Sequence, residues 1–531
     1  MVAASPPLAV AAGLELLSSG GNAADAAVAA AAALNVTEPT STGLGGDCFA
    51  LYYEAESGTV SALNGSGRAP SGLSLEFLKR NGFENELPDF HPFTITVPGA
   101  CAGWCDLIER CGTKPMSDIL APAVRLAEHG FPVAPVTAYF WKRGFEKQLK
   151  HAPGGLELTN DGRPPQAGDI FRNPGLARTM RKIAADGKSA FYEGEIAGAI
   201  ASVIQQAGGC LTLDDLAAHR STWESPIHTT YRGLRVWECP PNGQGLTALL
   251  ALNILEGFDL SEMGALSAGR LHLLIEAMRL AFADSRWYVA DPEFGDIPLN
   301  QLLSKGYAVQ RRKLIDPHRA GLDHRWGSPT LSSDTVYLSV VDGYGNACSF
   351  INSNYMGFGT GIVPSGWGFS LQNRGANFSL DPSHPNALAP GKRPYHTIIP
   401  AMVTVPAGNS SPSLQCEQLY ACFGVMGGFM QPQGHVQVLT GLIDDGLSPQ
   451  SALDRPRFCI VNGEAGGVTA FEDGIPPDTL QELSSMGHPV EPASSELFGV
   501  FGLGQVILRN SENGVLCAGS DHRADGCAMT Y

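Results

Sequence analysis

The run Thr335-Val-Tyr-Leu-Ser-Val-Val-Asp-Gly-Tyr-Gly-Asn-Ala-Cys-Ser-Phe350 constrains the fold more than any other stretch of this chain. Side chains alternate across a strand, so Thr335, Tyr337, Ser339 and Val341 share one face, and Val336, Leu338 and Val340 the other. Asp342-Gly-Tyr-Gly-Asn346 is a hairpin signal, and a three-residue loop puts Gly345 at the left-handed position. Pairing Asp342 with Asn346 then sets the register and brings Thr335 opposite Ser353.

With 44% hydrophobic and only 16% charged residues, the chain is able to bury a large core and is read as globular. Acidic residues outnumber basic ones 52 to 35 and no Lys/Arg run tracks phosphates, so neither nucleic acid nor an anionic membrane is an expected partner. The twelve cysteines have no C-x-x-C pair and no Cys/His cluster at zinc-ligand spacing, which implies small buried hydrophobes in a reducing compartment and no metal. The longest apolar stretch, Ala23 to Leu34, carries Asp25 and is too short to span a bilayer. Met1 leads into Pro-containing and then amphipathic sequence without a signal-peptide pattern, and the reading is a soluble cytoplasmic protein.

Pro7 to Ser18 and the alanine-rich Ala23 to Leu34 read as helices separated by Ser19-Gly-Gly-Asn22, with Asp25 a local hydrogen-bonder. The glycine-rich loop Glu38 to Asp47 precedes a strand, Cys48 to Tyr53, and lacks the spacing of a phosphate-binding loop. Arg68, in Asn64-Gly-Ser-Gly-Arg-Ala-Pro70, reads equally as a solvated turn residue or an anion ligand. Further helices are expected at Leu120 to Gly130, Leu176 to Ala185, Ala197 to Gln206, Thr247 to Leu255, Ala268 to Ser285, near Gln433 to Leu442, and near Asp478 to Met486. Strands are expected at Pro226 to Tyr231 and Leu234 to Trp237, followed by a turn, Pro240 to Gly245, suited to lining a pocket. From Pro292 the pattern is loop-rich, and His318 to Asp334 reads as a linker.

A threonine hydroxyl is a weak nucleophile unless a base stands beside it. A free α-amine on the same residue, with a pKa near ~8, is such a base, and cleavage between Asp334 and Thr335 creates one. Read alone, Thr335 is more simply the first residue of a buried strand, since threonine is a common strand residue. No G-x-S-x-G elbow and no H-E-x-x-H occurs, which removes the serine-triad and zinc-hydrolase signatures.

Collinear motifs decide for the first reading. Gly20-Gly-Asn-Ala-Ala-Asp-Ala-Ala-Val-Ala29, Gly43-Leu-Gly-Gly46, Thr96-Val-Pro-Gly99, Asp334-Thr335, Pro390-Gly-Lys-Arg-Pro394, Met426-Gly-Gly428 and Asp521-His-Arg-Ala-Asp-Gly526 resemble the gamma-glutamyltransferase family of N-terminal-nucleophile hydrolases. The resemblance implies an α/β fold, a four-layer αββα sandwich. It further implies a precursor that cleaves itself into a large chain (1–334) and a small chain (335–531) forming one structural unit, with no cofactor. Carried over, Thr335 is nucleophile and base, Ser353 stands where the family has an assisting threonine, and Gly427 and Gly428 match the N–H pair that stabilises the oxyanion.

The substrate clamp departs from the family. Its arginine falls at Ser66, two residues before Arg68; its asparagine is Tyr355; its acidic residue for the substrate amine is Asn377; a Gln/Glu position is Arg374; and a serine pair is His396-Thr397. Losing the acid removes an ammonium partner, while Arg374 adds a carboxylate ligand unless it serves a structural ion pair. The pattern is similar to the branch that includes oxamate amidohydrolase and glutathione-hydrolase-like proteins. It implies a self-processing amidohydrolase or acyltransferase acting on a small carboxylate-bearing amide. The alternatives are ordinary γ-glutamyl hydrolysis or transfer on glutathione, and an unprocessed, non-catalytic binder. The short Phe378 to Pro394 segment leaves little room for a lid, which implies an open site.

Overall fold

The computed structural model describes residues 1–325, 336–407, 416–492 and 499–531. Around Asp342 the hairpin forms as the spacing requires. The Asp342 N–H donates to Asn346 O at 3.0 Å, Gly345 has φ +87°, and Val341 faces Ala347 while Val336 faces Asn352. The Asp342 carboxylate locks the turn by accepting N–H bonds from Tyr344 and Asn346, and it also takes the Ala23 N–H at 3.0 Å. This last bond ties the hairpin to the start of the alanine-rich helix, where an unpaired N–H is available.

Two antiparallel sheets form the centre. The first runs, in spatial order, Cys527–Met529, Val2–Ala4, Val336–Val341, Ala347–Ser353, Asp47–Glu54, Thr59–Gly65 and Thr222–Glu224. The second runs Leu516–Ser520, Leu503–Arg509, Gln418–Met426, Ala401–Val405, Leu234–Glu238 and Ile227–Tyr231. Strands from the two sides of residue 335 interleave in the first sheet; in the second, the four strands that follow residue 335 lie together and join the two that precede it at one edge.

Three apolar layers follow from the alternation. Val336, Leu338, Val340, Cys348 and Phe350 pack outward against helices Pro7–Ser18, Ala23–Thr37, Met116–His129 and Pro174–Asp186. Their alternate neighbours Tyr337, Val341, Phe49 and Ile351 point inward and meet Met402, Cys422, Leu503 and Ile507 of the second sheet. Val236, Val403, Phe423 and Val506 pack on its outer side against helices Gly245–Leu255, Ala268–Tyr288 and Met430–Ile443. Helix, sheet, sheet, helix is the αββα sandwich.

Every residue of Ala23–Thr37 is buried, as a largely alanine surface allows, and Asp25 closes a capping box with Asn22 while binding the Thr113 hydroxyl at 2.6 Å. Asp25 is a hydrogen-bonder, as the sequence suggests, but not only a local one: it also accepts the backbone N–H groups of Thr113 and Lys114, from a distant segment. The region after Pro292 differs from its loop-rich reading: it contains helices Leu299–Leu302 and Lys305–Arg312. The second is capped by Ser304 and buries only Ala308, so it carries no apolar stripe to betray it. Among the described residues no helix is long and apolar enough to cross a membrane.

Candidate active site

The glycine-rich loop before Asp47 serves close packing. A Cβ at Gly45 would stand 2.0 Å from Ser370 O, and one at Gly46 would stand 2.2 Å from Ser353 O. Only glycine permits these approaches. The loop delivers Asp47 as the first residue of its strand, paired across the sheet with Ser353.

Asp47 is fully buried and organises its surroundings. Its Oδ1 accepts the Gly67 N–H at 2.9 Å and the Gln372 amide at 3.0 Å. Its Oδ2 lies 2.9 Å from His396 Nε2 and 3.8 Å from Arg374 Nε. Because His396 Nδ1 accepts the Ile398 N–H at 3.4 Å, the ring proton sits on Nε2 and donates to Asp47. Burial, followed by the nearby Arg374 charge, pushes the His396 pKa down to about 3 against the opposing pull of Asp47. His396 is therefore neutral. The sequence reading did not single out Asp47, although an acidic residue entering the apolar strand Asp47-Cys-Phe-Ala-Leu-Tyr-Tyr was the available signal.

Arg374 has no solvent exposure. Its Nη1 donates to Thr397 Oγ1 at 2.6 Å, and its guanidinium sits 4.5 Å over the Tyr355 ring. Nε and Nη2 have no hydrogen-bond partner among the described residues. Burial lowers its pKa to about 10, with Asp47 and Tyr355 opposing, so the side chain remains charged at neutral pH. Tyr355 has φ +80°, a conformation that costs about 1–3 kcal/mol for a non-glycine residue. It is held there by its N–H on Ser353 Oγ at 2.9 Å, by the cation over its ring, and by its hydroxyl on Asn377 Oδ1 at 2.6 Å. Asn377 Nδ2 has no partner among the described residues.

The glycine pair follows strand Gln418–Met426, with φ +126° at Gly427 and +59° at Gly428, and opens the helix Met430–Ile443. Gln244 connects it to the arginine. Its amide donates to both Thr397 O and Gly428 O at 2.7 Å. The turn Pro240 to Gly245 thus lines the site. Consecutive backbone N–H groups at a helix start suit a developing negative charge.

Ser353, Tyr355, Arg374, Asn377, His396 and Thr397 therefore form one contact network, joined to Gly427 and Gly428 through Gln244. Arg68 stands in a different setting, ion-paired with Asp291 at 3.3 Å and Glu293 at 2.9 Å and donating to Gly391 O. Thr335 lies outside the described residues. The network is not open: Ser353, Arg374, His396 and Thr397 are fully buried, and Phe378 and Leu388 of the short segment pack down on Ala69, Leu73 and Phe93.

The four layers are the architecture of the N-terminal-nucleophile hydrolases. The chain belongs to the gamma-glutamyltranspeptidase family, whose profile matches residues 9–531. It is 37% identical to the glutathione hydrolase-like YwrD proenzyme of Bacillus subtilis (strain 168), with 100% of this chain and 98% of that protein aligned. It is 35% identical to the oxamate amidohydrolase proenzyme of Klebsiella pneumoniae subsp. pneumoniae, again over 100% and 98%. Among solved structures, the cephalosporin acylase from Bacillus halodurans superposes with a TM-score of 0.91 at 45% identity, covering 100% of this chain and 95% of that one. These relatives are named as hydrolases or acylases, and this chain is an enzyme of their family.

Proposed function

We propose that the protein is a self-processing amidohydrolase that removes a small, carboxylate-bearing acyl group lacking an α-amine. The observation that carries this reading is the buried Arg374, charged yet with Nη2 unpartnered, beside an Asn377 that offers no negative charge. A buried guanidinium edge favours a carboxylate, and a substrate ammonium next to it meets repulsion without an acidic residue at position 377 to offset it. The relatives include an oxamate amidohydrolase and a cephalosporin acylase beside glutathione hydrolases, so their names fit this reading without choosing it, and the choice rests on Arg374. Arg68 spends its nitrogens on two carboxylates at 2.9 and 3.3 Å, whereas among the described residues Arg374 has one carboxylate, Asp47, at 3.8 Å and keeps Nη2 without a hydrogen-bond partner, so Arg374 is the better anchor.

In this reading, cleavage before Thr335 yields chains 1–334 and 335–531, and Thr335 Oγ attacks the amide carbonyl while its α-amine takes the hydroxyl proton. Gly427 and Gly428 N–H groups stabilise the tetrahedral oxyanion. The C–N bond breaks, the ammonium returns the proton to the leaving amine, and water or an amine acceptor releases the acyl group. Ser353, Tyr355, Asn377, His396 and Thr397 hold the pocket's shape and its hydrogen-bonding edges. Twelve free cysteines support a reducing, cytoplasmic setting.

Glutaryl-p-nitroanilide and γ-glutamyl-p-nitroanilide differ only by the α-amine. The processed protein should prefer the glutaryl substrate in kcat/KM by about tenfold or more, an energy difference of about 1.4 kcal/mol. Equal rates, or a preference for γ-glutamyl, would overturn the substrate assignment in favour of ordinary γ-glutamyl chemistry.

A further inference from the structure

On helix Ala268–Tyr288, His272 and Glu276 stand one turn apart on one face, and both are fully buried. His488, just past helix Pro477–Ser485 and itself buried, approaches the same face. Its Nε2 lies 2.8 Å from His272 Nδ1, and ligand atoms of all three residues fall within 4.8 Å of one another. His272 Nε2 is 2.7 Å from Asp316 O. A carbonyl only accepts, so Nε2 carries the proton and Nδ1 presents its lone pair to the cluster. Backbone carbonyls orient metal-binding imidazoles in this way.

One oxygen of the cluster lacks a hydrogen bond among the described residues. Glu276 Oε2 takes the Gly321 N–H at 3.1 Å and His324 Nε2 at 3.3 Å, but Oε1, in the same buried carboxylate, has no hydrogen-bond partner among the described residues. Arg279 Nε, which also lacks a hydrogen-bond partner among the described residues, faces Oε1 as a buried ion pair at 3.8 Å, too long for a hydrogen bond, while its other nitrogens go to Ala465 O and Thr469 Oγ1. Buried polar atoms left in this state call for a missing partner.

We propose that His272 Nδ1, His488 Nε2 and Glu276 Oε1 form a binding site for a divalent transition cation of the zinc class. Two neutral imidazoles and one carboxylate are a borderline donor set that suits Zn²⁺, Co²⁺ or Ni²⁺ over Mg²⁺ or Ca²⁺. Without the cation, a proton on His488 Nε2 bridges to His272 Nδ1. On binding, that proton moves to His488 Nδ1, both rings stay neutral, and the cation takes the proton's place. His324, already on Glu276, is the nearest further imidazole. The set escapes motif searches because its members come from a helix, a distant turn and the segment before residue 325. Three of the four side chains precede residue 334 and His488 follows it, so a bound cation ties the two sides of the proposed cleavage point together. The site itself does not depend on that cleavage.

The full-length protein, stripped with a chelator and titrated with Co²⁺, should bind one equivalent with the visible absorption of an N/O-ligated ion, and Zn²⁺ should displace it and raise the melting temperature. Glu276→Gln and His488→Gln should each weaken binding by about tenfold or more. In crystals grown with Zn²⁺, anomalous scattering at the zinc edge should peak among His272, Glu276 and His488, a readout that needs no variant to fold. No bound equivalent, a peak only elsewhere, or wild-type affinity in both folded variants would overturn the proposal.

Discussion

His396 donates its Nε2 proton to Asp47 Oδ2 across 2.9 Å, with neither side chain reaching solvent. Because the imidazole is neutral, this bond does not cancel the carboxylate's charge, which is left to balance the buried guanidinium of Arg374. Asp47→Asn removes that balance and sets an amide N–H against donors on Gly67, Gln372 or His396. Leaving a buried charge unpaired costs about 3–5 kcal/mol. Urea unfolding should register a loss of that size. A change below about 1 kcal/mol would mean that the Arg374 charge is balanced elsewhere.

Arg374→Gln tests the anchor itself. The variant keeps a donor for Thr397 Oγ1 but loses the charged edge at Nη2. KM for glutaryl or oxamate-type amides should rise by about tenfold to a hundredfold, since hydrogen bonds to charged groups contribute about 1.5–3 kcal/mol. KM for an uncharged acyl amide should stay near that of the parent. An unchanged KM for the acidic amides would assign Arg374 to structure alone.

How much of this was legible beforehand follows the range of the interactions. The hairpin through Asp342 and Gly345, its register and the face alternation of Val336 to Val341 depend on neighbours a few residues apart, and they appear as read. The alanine helix was legible because alanine on every face has few other uses. Asp47 was not, since its role comes from three segments, around residues 67, 372 and 396, that only the packed sheets bring to one carboxylate. Arg68 is a second case. The glycine loop fitted a solvated turn residue and an anion ligand equally well, and the ion pairs to Asp291 and Glu293, more than two hundred residues away in sequence, could not be read from it.

Processing and catalysis both depend, in the proposed mechanism, on Thr335. Thr335→Ala should run as one chain on a denaturing gel, with no new N-terminus after Asp334, and should lose activity by at least about 10³-fold, as loss of a nucleophile does. Thr335→Ser retains a hydroxyl and should still yield two chains. Two chains from the alanine variant would remove Thr335 from the cleavage reaction.

A final prediction concerns acid stability and rests on His219. Its ring stacks on Tyr192 with centroids 5.2 Å apart, and neither nitrogen has a hydrogen-bond partner among the described residues. Burial first, then Arg393, pushes its pKa down to about 3, with Asp47 opposing. In the unfolded chain a histidine titrates near ~6.5, so as pH falls the unfolded state takes up the proton first. The neutral ring's contribution is fully present above about pH 6.5 and is lost as pH falls toward 3, at about 1.4 kcal/mol per pH unit. His219→Phe keeps the stack and removes both unsatisfied nitrogens. It should be more stable than the parent by about 1 kcal/mol at pH 7.5, and the gap should widen by about 2 kcal/mol at pH 5. Denaturant unfolding at the two pH values measures both. Parallel stability curves for variant and parent would show that His219 takes up its proton without unfolding the protein.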